Sequence, residues 1–175
     1  MSSFFYSRKT ADTVAHPLPP SLDRECVLGL LHDETLLPRI LWPNSVMENR
    51  QQTLSGLEGV LSDTYLNVSL LKLSDGVTCV EKLGGFTLTV SYSIMENDAP
   101  GKDGSKACGL QLQEERSLRA LRPIASFTKF KPESPAKTQN LLRFFEALSR
   151  NGTDSLAALE SIAIADLNKD KQKGD

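Results

Sequence analysis

From Phe86 to Ile94 the chain alternates without a break. Phe86, Leu88, Val90, Tyr92 and Ile94 share one parity, and Thr87, Thr89, Ser91 and Ser93 share the other. Successive side chains of a strand point to opposite faces, so this stretch predicts a strand with one apolar and one hydroxyl face. The small hydroxyl residues suit a solvent-facing side and leave the apolar side for a helix and any ligand.

The rest of the pattern arranges itself around that strand. Residues 3 to 16 read as a first strand, stopped by Pro17, Pro19 and Pro20. Ser21 is placed to N-cap a helix with Asp23 and Glu25 in its first turn and Cys26, Val27, Leu30 and Leu31 as its buried stripe. A second short helix follows from Asp33 to about Ile40, with Pro38 late in it. Residues 44 to 53 form a candidate strand, and Leu54 to Gly59 reads as a glycine-bounded connection. Asp63 to Leu73 is the next strand; Leu66, Val68 and Leu70 share a parity that Leu71 and Leu73 break, which predicts a bulge. Ser74-Asp75-Gly76 predicts a hairpin turn with Gly76 at positive φ, Val77 to Leu83 returns, and Gly84-Gly85 turns into the central strand.

Asn97 to Lys106 is polar and rich in Gly and Pro, a hairpin loop. Cys108 to Arg116 is a strand with Leu110 and Leu112 on its apolar parity, and Ile124 to Lys131 reads as the last strand. Ser134 and Pro135 then open a helix as N-cap and first residue, with Leu141, Phe144, Phe145 and Leu148 as its stripe. Asn151-Gly152 ends it, and Thr153 or Asp154 caps a further helix. The order is strand, two short helices, about six antiparallel strands and a C-terminal helical region. This is an α+β arrangement, a helix-grip in which a curved antiparallel sheet wraps a long C-terminal helix. Residues 1–168 make one domain and 169–175 a charged tail.

Composition narrows the function classes. A chain of 175 residues suits one core. A formal net charge of −2 without a basic stripe argues against nucleic-acid binding. The longest apolar run, Cys26 to Leu31, is far too short to cross a membrane, and the first ten residues do not resemble a signal peptide. Three scattered cysteines, Cys26, Cys79 and Cys108, read as reduced thiols of a cytoplasmic protein.

The candidate chemistry is sparse. No hydrolase, phosphate-loop or Cys-x-x-Cys motif is present. His32-Asp33-Glu34 cannot converge on one ion from a helix, so Asp33 reads as a cap, no metal site is expected, and no cofactor is implied. Tyr92 is either a core tyrosine or a donor in a cavity wall. Glu114 and Arg116 continue the parity of Leu110 and Leu112. They are either an anchor for the polar end of a ligand or a salt bridge at a fraying strand end. Tyr65 has the parity opposite to Leu66 and reaches a pocket only if the bulge near Leu71 resets the register. Phe86, Leu88, Val90, Leu110, Leu112, Phe127, Leu141 and Phe145 line a cavity or fill a core, and the pattern allows both.

Two stretches carry a family likeness: His16-Pro17-Leu18-Pro19, and Ser21 through Leu37 with its Leu30-Leu31-His32-Asp33 step. With the element order, they resemble START-like, polyketide-cyclase-type helix-grip proteins, and among them a group of uncharacterised fungal members. Leu41-Trp42-Pro43-Asn44 departs from that pattern. The resemblance implies an apolar cavity between sheet and C-terminal helix that holds one hydrophobic small molecule. It leads to a cofactor-free cyclase or isomerase of natural-product biosynthesis, Diels–Alder chemistry included. Tyr92, Glu114 and Arg116 are then the catalytic candidates, and a homodimer is allowed. A non-enzymatic carrier of a lipid or metabolite and an interaction module with a filled core are the other readings.

Overall fold

The computed structural model describes residues 5–97, 109–152 and 154–160. The predicted loop from Asn97 to Lys106 lies almost wholly outside them, as do Cys108, Thr153 and the charged tail. The described strands are β1 (Tyr6–Thr10), β2 (Val14–Pro17), β3 (Met47–Thr53), β4 (Gly56–Leu61), β5 (Asn67–Leu73), β6 (Gly76–Leu83), β7 (Phe86–Asn97) and β8 (Gly109–Leu121). They form one antiparallel sheet in the order β1-β8-β7-β6-β5-β4-β3, and β2 also pairs with β8. Helices α1 (Arg24–Leu31) and α2 (Leu36–Leu41) follow β2, and α3 (Arg122–Phe127) and α4 (Ala136–Arg150) follow β8. The chain is thus α+β, with six antiparallel strands after the two short helices.

The hairpins come from their turns. Gly84 and Gly85 take φ values of 46° and 83°, which suits a two-residue turn joining Leu83 to Phe86. Gly76 is needed for a different reason from the one its sequence suggests. Its φ is not positive, and it pairs in the ladder with Ser93. A Cβ there would lie 1.8 Å from the Tyr92 carbonyl oxygen. The predicted bulge near Leu71 is also absent: β5 runs in continuous register with β6 from Asn67 to Leu73.

The bulge lies in β3 instead. Glu48 pairs with Val60 and Gln51 with Glu58, so Asn49 and Arg50 face Gly59 alone. Asn49 takes φ 50°, a left-handed conformation that costs an L-residue about 1 kcal/mol. A Cβ at Gly59 would meet the Met47 side chain at 2.6 Å and the Glu48 carbonyl at 2.8 Å, so only glycine fits opposite the bulge. The expected connection from Leu54 to Gly59 is in fact mostly β4, disguised by the two glycines that its crowded ladder requires.

Helix ends also differ from expectation. Asp23, not Ser21, caps α1 by accepting from the Cys26 N–H at 2.7 Å. Asp33 accepts from the N–H groups of Thr35 and Leu36, both at 2.8 Å, and α2 starts after it. Pro135, not Ser134, holds the N-cap position of α4 and gives no side-chain cap. Residues Ile124 to Lys131 are not a strand. Pro123 stands at the start of α3, where its fixed φ suits a first helical turn, and β8 runs on to Leu121 instead of stopping at Arg116.

One core lies between the sheet and the helices. Val27, Leu31, Leu37, Val90, Tyr92, Leu112, Leu141, Phe144, Phe145 and Leu148 are all buried in it. The predicted α4 stripe is wholly buried, and Phe144 and Phe145 meet edge to face at 6.3 Å. A second, small cluster of Leu118, Ala120 and Ala125 packs against Phe86 and Phe130.

Candidate functional site

Three strands bring the candidate residues of β7 and β8 onto one face. Burial alternates along β8, with Leu112, Glu114, Arg116, Leu118 and Ala120 all buried. Glu114 and Arg116 therefore do point the way the leucines do. Across the ladders, Glu114 pairs with Tyr92 on β7 and Val14 on β2, and Arg116 pairs with Val90.

The carboxylate of Glu114 is fully buried and meets two side chains, His16 and Arg116. Its Oε2 lies 3.0 Å from His16 Nε2, and its Oε1 lies 3.1 Å from Arg116 Nε. The second contact is an ion pair without hydrogen-bond alignment, so both of its atoms are buried and lack a hydrogen-bond partner. Arg116 Nη1 donates to the carbonyls of Lys131 and Glu133, each at 3.1 Å, and the guanidinium lies 5.7 Å from the Phe130 ring centre. Arg116 thus straps the segment after α3 down onto the sheet. The pair is an interior element, not the salt bridge of a fraying end.

Ser134, His16 and Glu114 have the residue types of a hydrolase triad but not its geometry. The Ser134 hydroxyl stands 3.3 Å from His16 Nε2, the same nitrogen that meets Glu114. A relay needs the acid on one ring nitrogen and the nucleophile on the other. The arrangement is therefore a positional one: it fixes β2, β8 and the approach to α4.

Tyr92 is also committed. Its hydroxyl shares a hydrogen bond of 2.8 Å with the Thr138 hydroxyl on α4, and both residues are completely buried. Burial pushes its phenol well above the usual range, and the Thr138 bond opposes this only in part. One strand over, Lys137 Nζ lies 2.8 Å from Glu81 Oε1, which also accepts from the Trp42 indole N–H at 2.9 Å. The Cys79 thiol beneath is pushed up to about 12 by burial, with Lys137 pulling the other way.

The space between these groups is unequal. Under α4 the core is filled: Leu112, Tyr92, Glu114, Leu141 and Phe145 are all at most 1% exposed. Beside the α4 N-terminus a pocket of about 400 Å³ opens. Leu88, Val90, Leu118 and Arg116 form its floor, residues 128–131 with Phe130 cover one side, and Ala136 and Gln139 of α4 the other.

Of the expected cavity residues, Leu88, Val90 and Arg116 line this pocket. Tyr92, Glu114, Leu112, Leu141 and Phe145 belong to the filled core, and Leu110 packs half-buried against it. Phe86 packs on the small second cluster. Tyr65 is 78% exposed, at φ 53° in the connection before β5, because that strand starts at Asn67 and not at Asp63. Phe127 ends α3 and is 89% exposed. His16, Leu118, Phe130 and Ser134 were not expected here. Leu118 continues the β8 parity and was readable; His16 comes from a strand whose neighbour no local pattern specifies.

Among the described residues, no group of three or more His, Cys, Asp or Glu is placed to hold a metal ion. Nor is any described helix long and apolar enough to cross a membrane. No protein-family model matches the sequence, and comparison with curated proteins likewise gives no match.

Proposed function

We propose that this chain is a helix-grip protein that binds one small amphipathic molecule in the pocket over β7 and β8. The observation that carries the reading is Arg116: a guanidinium pinned by Glu114 and two carbonyls at the floor of a pocket whose other floor residues are Leu88, Val90 and Leu118. Such a floor suits an apolar body with a carbonyl or carboxylate at one end. Tyr92 and Glu114 act behind it by holding α4, β2 and Arg116 in place.

Turnover of that ligand is the second reading, favoured by the rigidity of Arg116. A cofactor-free cyclase or isomerase works by holding a flexible substrate in its reactive conformer, and a fixed cation beside a substrate carbonyl adds electrostatic activation. In this version Arg116 alone of the three catalytic candidates touches the substrate.

The test is native mass spectrometry of the protein after incubation with extract of its source organism, with the extract profiled before and after. A retained small molecule supports binding, and an isomeric product in the extract supports turnover. Ala136→Trp fills the pocket mouth from an exposed position at the start of α4. It should abolish retention while the fold stays intact. Retention that survives it, or a bare protein mass throughout, would overturn the proposal.

A further inference from the structure

The geometry points to a second, separate binding site, for a flat apolar anion such as an aromatic carboxylate, between α2, β3 and residues 159–160. A pocket of about 480 Å³ lies there, walled by Ile40, Trp42, Met47 and Leu61. Two guanidinium groups, Arg39 and Arg50, stand against one carboxylate, Glu160, so the lining charge is +1.

Arg50 is where it is because of the β3 bulge. In a regular strand it would take its turn in the ladder. The extra residue frees Arg50 from pairing, and its Nε donates to the Met47 carbonyl at 3.1 Å, which fixes the side chain over the pocket. The left-handed backbone at Asn49 and the crowded Gly59 opposite are both unfavourable for pairing alone. Bulges commonly re-aim one side chain, and here that side chain is a cation at the rim of an apolar pocket. Trp42 is held in turn: its indole N–H is bound by Glu81, so its ring forms a fixed wall against which a planar ligand can stack.

Trp42 is the sole tryptophan, so the protein has one indole N–H resonance, and that resonance reports on this pocket. Full-length, 15N-labelled protein should be titrated with 2-naphthoate and, separately, with neutral 2-naphthalenemethanol. The indole cross-peak should move saturably with the acid and bind the alcohol about fivefold more weakly. Arg50→Gln should remove that preference, and raised salt should reduce it, since Arg50 is exposed. Ala136→Phe, which fills the other pocket without adding an indole, should leave the titration unchanged. Equal affinity for acid and alcohol, an unaffected Arg50→Gln variant, a still cross-peak, or loss of binding in Ala136→Phe would each overturn the assignment.

Discussion

The hydroxyls of Tyr92 and Thr138 meet at 2.8 Å in the completely buried seam between β7 and α4. Neither side chain has water to fall back on. Tyr92→Phe strands the Thr138 hydroxyl and Thr138→Val strands the phenol, so each should cost about 1–3 kcal/mol. The double variant leaves no unpaired polar group and should be less destabilised than the sum of the two. Urea denaturation of all four proteins measures this coupling; strict additivity would show that the bond contributes nothing.

Two hairpin glycines should respond very differently to alanine. A Cβ at Gly76 would sit 1.8 Å from the Tyr92 carbonyl oxygen, a clash with backbone that cannot move aside. Gly76→Ala should cost about 3 kcal/mol or more. At Gly84 nothing lies within 4 Å, and only its φ of 46° opposes a side chain. Gly84→Ala should cost about 1 kcal/mol. Denaturation midpoints in the reverse order would contradict both assignments.

The buried carboxylate of Glu114 faces His16 and Arg116 at once. Glu114→Gln keeps the shape and removes the charge, leaving Arg116 buried without its counter-ion. A loss of about 3 kcal/mol is expected. His16 is partly exposed, and His16→Ala should cost only about 1 kcal/mol. Comparable losses for the two would mean that Arg116 does not depend on Glu114.

Alkaline pH should weaken the fold through Cys79. Its thiol is pushed up from 9.0 to about 12. The unfolded chain therefore gives up this proton first. Between those values the folded state binds more protons, so stability is full below pH 9 and falls as pH rises, by up to about 1.4 kcal/mol per unit. Tyr92, raised above its usual 10.0, adds to the fall from there upward. Urea midpoints at pH 8, 9 and 10 should drop, and Cys79→Ala should flatten the step from 9 to 10. An identical slope in the variant would remove Cys79 as the cause.

How far the sequence foretold this depends on the range of the interaction. The alternation of β7 is local, and Val90, Tyr92 and Ile94 are buried as it implies. The stripe of Leu141, Phe144, Phe145 and Leu148 is equally local and equally readable. Glu114 and Arg116 kept their parity, but a charged pair looks like the end of a strand, so β8 was cut short of Leu118 and Ala120. Its continuation into α3 then passed for another strand. The partner of Glu114 was hidden because His16 is 98 residues away and reaches it only by strand pairing. Gly56 and Gly59 signalled a loop, whereas their missing side chains answer crowding from the neighbouring strands.

The pairing of β1 with β8 also sets a timetable for synthesis. Tyr6 lies opposite Leu121, and 121 − 6 = 115 residues must be added between them. At ordinary elongation rates of about 5–20 residues per second, β1 is made roughly 6–23 s before its partner. The hairpins from β3 to β7 need only their immediate neighbours and can form in that interval. β1 and β2 both pair with β8, so neither enters the sheet until that strand is made, and through the interval their ladder N–H and C=O groups stay without their partner strand.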